Sequence, residues 1–141
     1  MIRETPYTLR IDFPTVSANV GGNARGHWRT RASALKAAKQ TGVLLVRNAI
    51  IEHELHDCIP WSPVDVTVTW LYTNARHRPD LDNLSSRIKP YLDSAVTAGL
   101  LVDDGPDHIL TIRYEYQRAK RTGVRMLFTK VAGQDDERLT A

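Results

Sequence analysis

The segment VDVTVTWLYT, Val64 to Thr73, alternates strictly. Val64, Val66, Val68 and Trp70 fall on one face of an extended chain, and Asp65, Thr67 and Thr69 on the other. Such alternation calls for a sheet with one covered face. Shortly afterwards the period changes. Leu84, Ile88, Leu92 and Val96 recur at every fourth position, which predicts a helix from Asn83 to about Ala98. Asp82 or Asn83 is suited to cap its start and Gly99 to end it. Pro90, inside the pattern, should kink the helix or open the first turn of a second one. A strand followed closely by a helix able to cover it restricts the rest of the chain to mixed architectures.

The remaining segments fit that restriction. YTLRIDF, Tyr7 to Phe13, alternates and reads as a strand. PTVSANVGGNARGHW follows as a loop, and a second helix is expected from Arg29 to about Glu54. Its apolar positions are Ala32, Leu35, Ala38, Val43, Val46 and Ile50, and Gly42 weakens its middle without ending it. ELHDCIPWSP is a connector, broken at Pro60 and Pro63. HILTIRYEYQR and GVRMLFTKV read as two strands joined around AKRTG, a hairpin by length and composition. The order is β-α-β-α-β-β. It implies a single α+β domain over residues 1–131, with a mostly antiparallel sheet and two helices packed on it, followed by a polar, disordered tail at 132–141.

At 141 residues the chain can bury a core without disulfides or a structural metal. That matters because Cys58 is its only cysteine, which excludes an internal disulfide and a multi-cysteine zinc site. Neither a signal-type apolar run nor a membrane-length segment is visible, so a soluble, cytoplasmic protein is expected. The net charge of +3 permits a polyanionic partner without requiring one.

The chemistry concentrates at RHRPDLDNL, Arg76 to Leu84. If the chain stays extended there, Asp80 and Asp82 point the same way. Two carboxylates about 4 Å apart at a half-wet surface repel by about 4 kcal/mol. A proton, the flanking Arg76 and Arg78, or a divalent cation must offset that. Magnesium takes oxygen ligands and is commonly held by a few carboxylates with water and phosphate. A second acidic pair, Asp103 and Asp104, follows the helix and returns beside the first if strand and helix pack as a unit. Lys89, seven residues after Asp82, falls on the same helical face about 10 Å further along. Taken alone, D-x-D is nearer a turn than a metal site, and DDGPD is an ordinary acidic turn.

The sequence RPDLDNL…KPYLD…AGLLVDD resembles the RusA family of endodeoxyribonucleases, Holliday-junction resolvases often carried by phages and prophages. The resemblance is carried by Arg78 to Asp104 and is looser over the N-terminal half. It implies a magnesium-dependent homodimer, with manganese able to substitute, that cuts four-way and related branched DNA by paired nicks in a bacterial or phage-infected cell. It also implies that Asp80, Asp82 and Asp104 are the catalytic and metal-binding acids, with Asp103 as a further candidate ligand, Asn83 beside them and Lys89 as the functional lysine. In the family the lysine follows the second aspartate by about one turn. Here LSSRI lengthens the gap by about three residues, so Ser86 or Arg87 stands at the shorter spacing.

Candidate phosphate contacts are Arg76 and Arg78 before the acids, Arg25, Arg29, Arg31, Lys36 and Lys39 around the first loop and helix, and Arg118, Lys120, Arg121 and Arg125 at the last hairpin. For any one of them a solubilising surface role is the plainer reading. Trp28 suits either stacking on an unpaired base or anchoring its loop to the core. HELHD, His53 to Asp57, offers two histidines, too few for a convincing zinc site. Two rival functions fit parts of the sequence. One is a non-catalytic DNA-binding module whose acids shape a turn. The other is a nucleotide-sugar transferase using D-x-D, for which the chain is short and lacks a glycine-rich nucleotide loop.

Overall fold

The computed structural model describes residues 7–16, 20 and 28–131. Arg25 and the tail at 132–141 lie outside the described residues, as does most of the loop before the first helix. The elements are β1 (Thr8–Phe13), α1 (Trp28–Glu52), β2 (Val64–Tyr72), α2 (Leu81–Thr97), β3 (Ile109–Arg118) and β4 (Gly123–Lys130), with a 3-10 turn at Ala75–His77. They form an α+β domain around a four-stranded sheet ordered β1-β4-β2-β3. β4 runs antiparallel to both β1 and β2, while β2 and β3 are parallel.

The period-two pattern of β2 determines its buried face. Val64, Val66, Val68 and Trp70 are all buried. They pair with Phe128, Met126 and Val124 of β4 on one side and with Ile109, Ile112, Tyr114 and Tyr116 of β3 on the other. Backbone pairing to β4 on one side and β3 on the other places β2 inside the sheet, with this face turned to the helices. This corrects the expected hairpin: β3 and β4 are not partners, because β2 lies between them. The short AKRTG link crosses over β2 instead of closing a two-strand turn. β3 is thereby an edge strand, with most of its residues exposed.

The helices cover one face. Val46, Ala49 and Ile50 of α1 and Leu84, Ile88, Tyr91, Leu92 and Ala95 of α2 join the core with Leu9, Ile11 and Phe13 of β1. Tyr91 stacks on Phe13 with centroids 4.3 Å apart and donates its hydroxyl to the Pro14 carbonyl at 2.7 Å. Burial pushes that phenol up to about 12. Gly42 has a packing reason: a Cβ there would collide with the Ser94 side chain and lie 3.1 Å from the Tyr91 ring. Glycine lets α1 and α2 approach closely. The opposite face of the sheet carries Asp12, Arg125, Thr67, Asp65 and Arg113 and, among the described residues, no helix. There Asp12 holds Arg10 at 2.8 Å and Arg125 at 3.2 Å, so Arg125, expected as a phosphate contact, is paired with a carboxylate instead.

Two local expectations change. α2 starts earlier than the apolar pattern suggests, capped by Asp80, and it runs through Pro90 as one helix. The first half of α1 extends beyond the core, so Trp28 is 68% exposed and Leu35 47% exposed rather than buried. The Arg29 guanidinium lies 5.3 Å from the Trp28 ring.

Candidate nucleic-acid interface and metal centre

Parallel β2 and β3 bring their C-terminal ends together, and α2 begins at that same end. Tyr72 is in register with Arg118, and the Ala119 amide donates to the Tyr72 carbonyl at 2.9 Å. The basic residues just before α2 and just after β3 therefore share one end of the sheet. Arg76, Arg78, Arg118, Lys120 and Arg121 are all exposed there. The approach to α2 is held firmly. The Asn74 side chain accepts from the Arg76 amide at 3.0 Å, and Arg78 donates Nε to the Ala75 carbonyl at 3.1 Å. Arg29 and Arg31 are exposed in the first turns of α1. Further along that helix, Ala34, Ala38 and Thr41 line a cleft together with Pro14 and Val16, which follow β1.

Asp80 and Asp82 are not extended neighbours. Asp80 is the N-cap of α2, its Oδ1 accepting from the Asn83 amide at 2.9 Å, and Asp82 lies in the first helical turn. Successive helical positions turn by about 100°, so the side-by-side arrangement expected of an extended chain does not form. Both acids instead sit where the helix dipole and free amides favour negative charge. Asp80 and Asp82 are exposed, and Asn83 is half-buried.

The second acidic pair returns to α2, but at Lys89. The Lys89 ammonium donates to Asp104 Oδ2 at 2.9 Å and lies 3.6 Å from Asp93. Asp103 Oδ1 accepts from the Asp104 amide at 2.8 Å. The hydrogen bond from Lys89 holds the Asp104 carboxyl below its ordinary value, and that of Lys89 rises in return. The two clusters are thus separated along α2 by about two turns, a rise of about 10 Å from Asp82 to Lys89. Among the described residues no three His, Cys, Asp or Glu side chains are gathered for a metal ion. The oxygen-only donors Asp80, Asp82, Asp103 and Asp104 suit magnesium in kind. They are arranged as two pairs, with Lys89 against one of them.

The sequence reading missed an aromatic–arginine surface beside Asp80. The Arg78 guanidinium lies 5.1 Å from the Tyr72 ring and 5.9 Å from the Tyr116 ring, and Arg118 lies 5.8 Å from Tyr72. Arg87 stacks over Trp70 at 5.4 Å, and burial pulls its guanidinium below the ordinary value. The Tyr116 hydroxyl donates to the Pro79 carbonyl at 2.7 Å. Its pKa is raised, first by burial and then by the nearby charge of Asp80. The aromatic alternation of WLYT and YEYQR was the available signal. It becomes meaningful only once β2 and β3 are known to be adjacent and parallel.

No family model matches the chain. It is 32% identical over 101 residues to an uncharacterized protein of Xylella fastidiosa, a match covering 67% of this chain and 59% of that protein. The chain therefore spans less than two thirds of that relative's length. No helix among the described residues is long and apolar enough to cross a membrane.

Proposed function

We propose that the chain is a magnesium-dependent endodeoxyribonuclease of RusA type, which as a homodimer resolves four-way junctions or related branched DNA by paired nicks in the cytoplasm. The observation that carries this reading is the acidic start of α2, Asp80 and Asp82, set within a basic rim of Arg76, Arg78, Arg118, Lys120 and Arg121. Nucleic-acid phosphates dock on such a rim, and the acids then lie beside the backbone they would help to cut.

Asp80 has one oxygen committed to the cap, so Asp82 is the freer carboxylate for a cation. Asp103 and Asp104, in the loop after α2, are further oxygen donors beside Lys89, about two turns along the helix from Asp82. Magnesium held at Asp82 would supply Lewis acidity toward a phosphodiester and an activated water for its hydrolysis. Lys89 carries positive charge on the same helix, available to an oxygen gaining charge when it is released from Asp104. The arginines position the backbone without reading its sequence.

The pairing of Lys89 with Asp104 and the capping role of Asp80 also suit a DNA-binding module without catalysis. A synthetic four-way junction, incubated with the protein with and without magnesium or manganese, separates the two. Metal-dependent nicking is expected of the parent. Asp82→Asn should abolish it while still binding the junction. Full activity of Asp82→Asn would overturn the metal-site reading, and absence of nicking by the parent with either metal would favour the binding module.

A further inference from the structure

The surface beside Asp80 is built for more than phosphate. Period two places Trp70 and Tyr72 of β2 on the helix-covered face, and the register sets Tyr116 and Arg118 of β3 beside them. Trp70 is buried, while Tyr72 and Tyr116 are half-buried, so the two tyrosines present ring surface at the rim of the sheet. Arg78 lies against both rings and Arg118 against Tyr72. Among the described residues neither arginine forms a salt bridge with a carboxylate. Their positive charge is therefore parked on aromatic faces rather than neutralised.

We propose that Tyr72 and Tyr116 form a seat for one unpaired nucleobase, so that the site selects DNA with an unstacked nucleotide next to the phosphate at Asp80. This deepens the nuclease reading and rests on it. A base stacked on an aromatic ring gains more than an exposed guanidinium does there. An incoming base therefore displaces Arg78 or Arg118 from the ring, and the displaced guanidinium turns to the adjoining phosphate, where it pairs more strongly. Tyr116 is the fixed wall of the seat, because its hydroxyl is tied to the Pro79 carbonyl. The same hydrogen bond sets the seat one residue from Asp80. Branch points and bulges expose unpaired bases, and fully paired duplex does not. The seat thus supplies shape selection that the basic rim alone lacks.

The test uses the full chain without metal, so that no strand is cut, and two DNAs. One is a duplex with a single unpaired 2-aminopurine. The other is the same duplex fully paired. The parent should quench the unpaired probe and prefer that DNA at least fivefold. Tyr72→Val, a strand-compatible change, should lose the quenching and reduce the preference below twofold, and Tyr116→Leu should do the same. Tyr72→Phe should behave as the parent. Quenching and preference undiminished in both Tyr72→Val and Tyr116→Leu would overturn the seat. So would a parent that nicks a four-way junction with magnesium yet neither quenches nor prefers the unpaired probe, which leaves the nuclease reading standing. A parent that binds neither these duplexes nor a four-way junction, and does not nick the junction with magnesium, would overturn both.

Discussion

At the scale of the residue, Lys89 is the most exposed test of the proposed chemistry. Its ion pair with Asp104 involves a side chain that is 62% exposed, and such pairs contribute only about 0.2–1 kcal/mol to stability. Lys89→Ala should therefore shift unfolding free energy by no more than about 1 kcal/mol in urea titrations. If Lys89 stabilises charge during cleavage, the same change should lower nicking by about 100-fold or more. A proportionate loss of stability and activity would mean a structural role only. The pair also has a pH signature. The Asp104 carboxyl is held low by its bond from Lys89. Its contribution is thus present above the unfolded carboxylate value and fades as pH falls through the depressed folded one. NMR titration should find the Asp104 carboxyl returning upward in Lys89→Ala, and the variant's acid unfolding should flatten in that window. Asp80 and Asp82 carry the opposite lesson. The sequence suggested them as cation ligands on an extended chain, but the local geometry is a capped helix, with Asp80 as the cap and Asp82 in the first turn.

At the scale of the element, the α1–α2 contact depends on Gly42. Alanine gains about 1 kcal/mol over glycine in helix propensity, yet overpacking a close contact costs about 1–3 kcal/mol. Here the added Cβ would meet Ser94, whose hydroxyl is already bonded to the Pro90 and Lys39 carbonyls at 2.7 and 3.0 Å and cannot turn away freely. Gly42→Ala should therefore be destabilising by about 1 kcal/mol net in chemical denaturation, and adding Ser94→Gly should recover part of the loss. A stabilised single variant would show that propensity outweighs packing at this crossing. Most elements were legible because their patterns are local: β2 by alternation and α2 by its four-residue steps. The β3–β4 relationship was not. A short link between two strand-like runs reads as a hairpin, but β2 pairs with both β3 and β4 and lies between them, a long-range choice that a local pattern does not record. The start of α2 was missed for a related reason, since the cap depends on a side-chain bond that periodicity does not register.

At the scale of the whole molecule, the net charge of +3 conceals an uneven distribution. The topology collects Arg76, Arg78, Arg118, Lys120 and Arg121 where β2 and β3 end, although these residues are far apart in sequence. If that end faces DNA, each phosphate neutralised should contribute about 0.9 to the slope of log affinity against log salt on duplex DNA. Replacing Arg118, Lys120 and Arg121 together by alanine should therefore make the slope shallower by about 2.7 if all three reach phosphates. Arg47 is the control. It is exposed on the second half of α1, which leads back toward the start of β2 and away from the basic rim. Arg47→Ala should leave the slope unchanged, with affinities measured by anisotropy on a labelled junction at several salt concentrations. A uniform cationic surface would instead lose slope in proportion to charge removed from either end. The position of the lost charge, more than its amount, is what tests whether the end of the sheet that holds Asp80 is the one turned toward the nucleic acid.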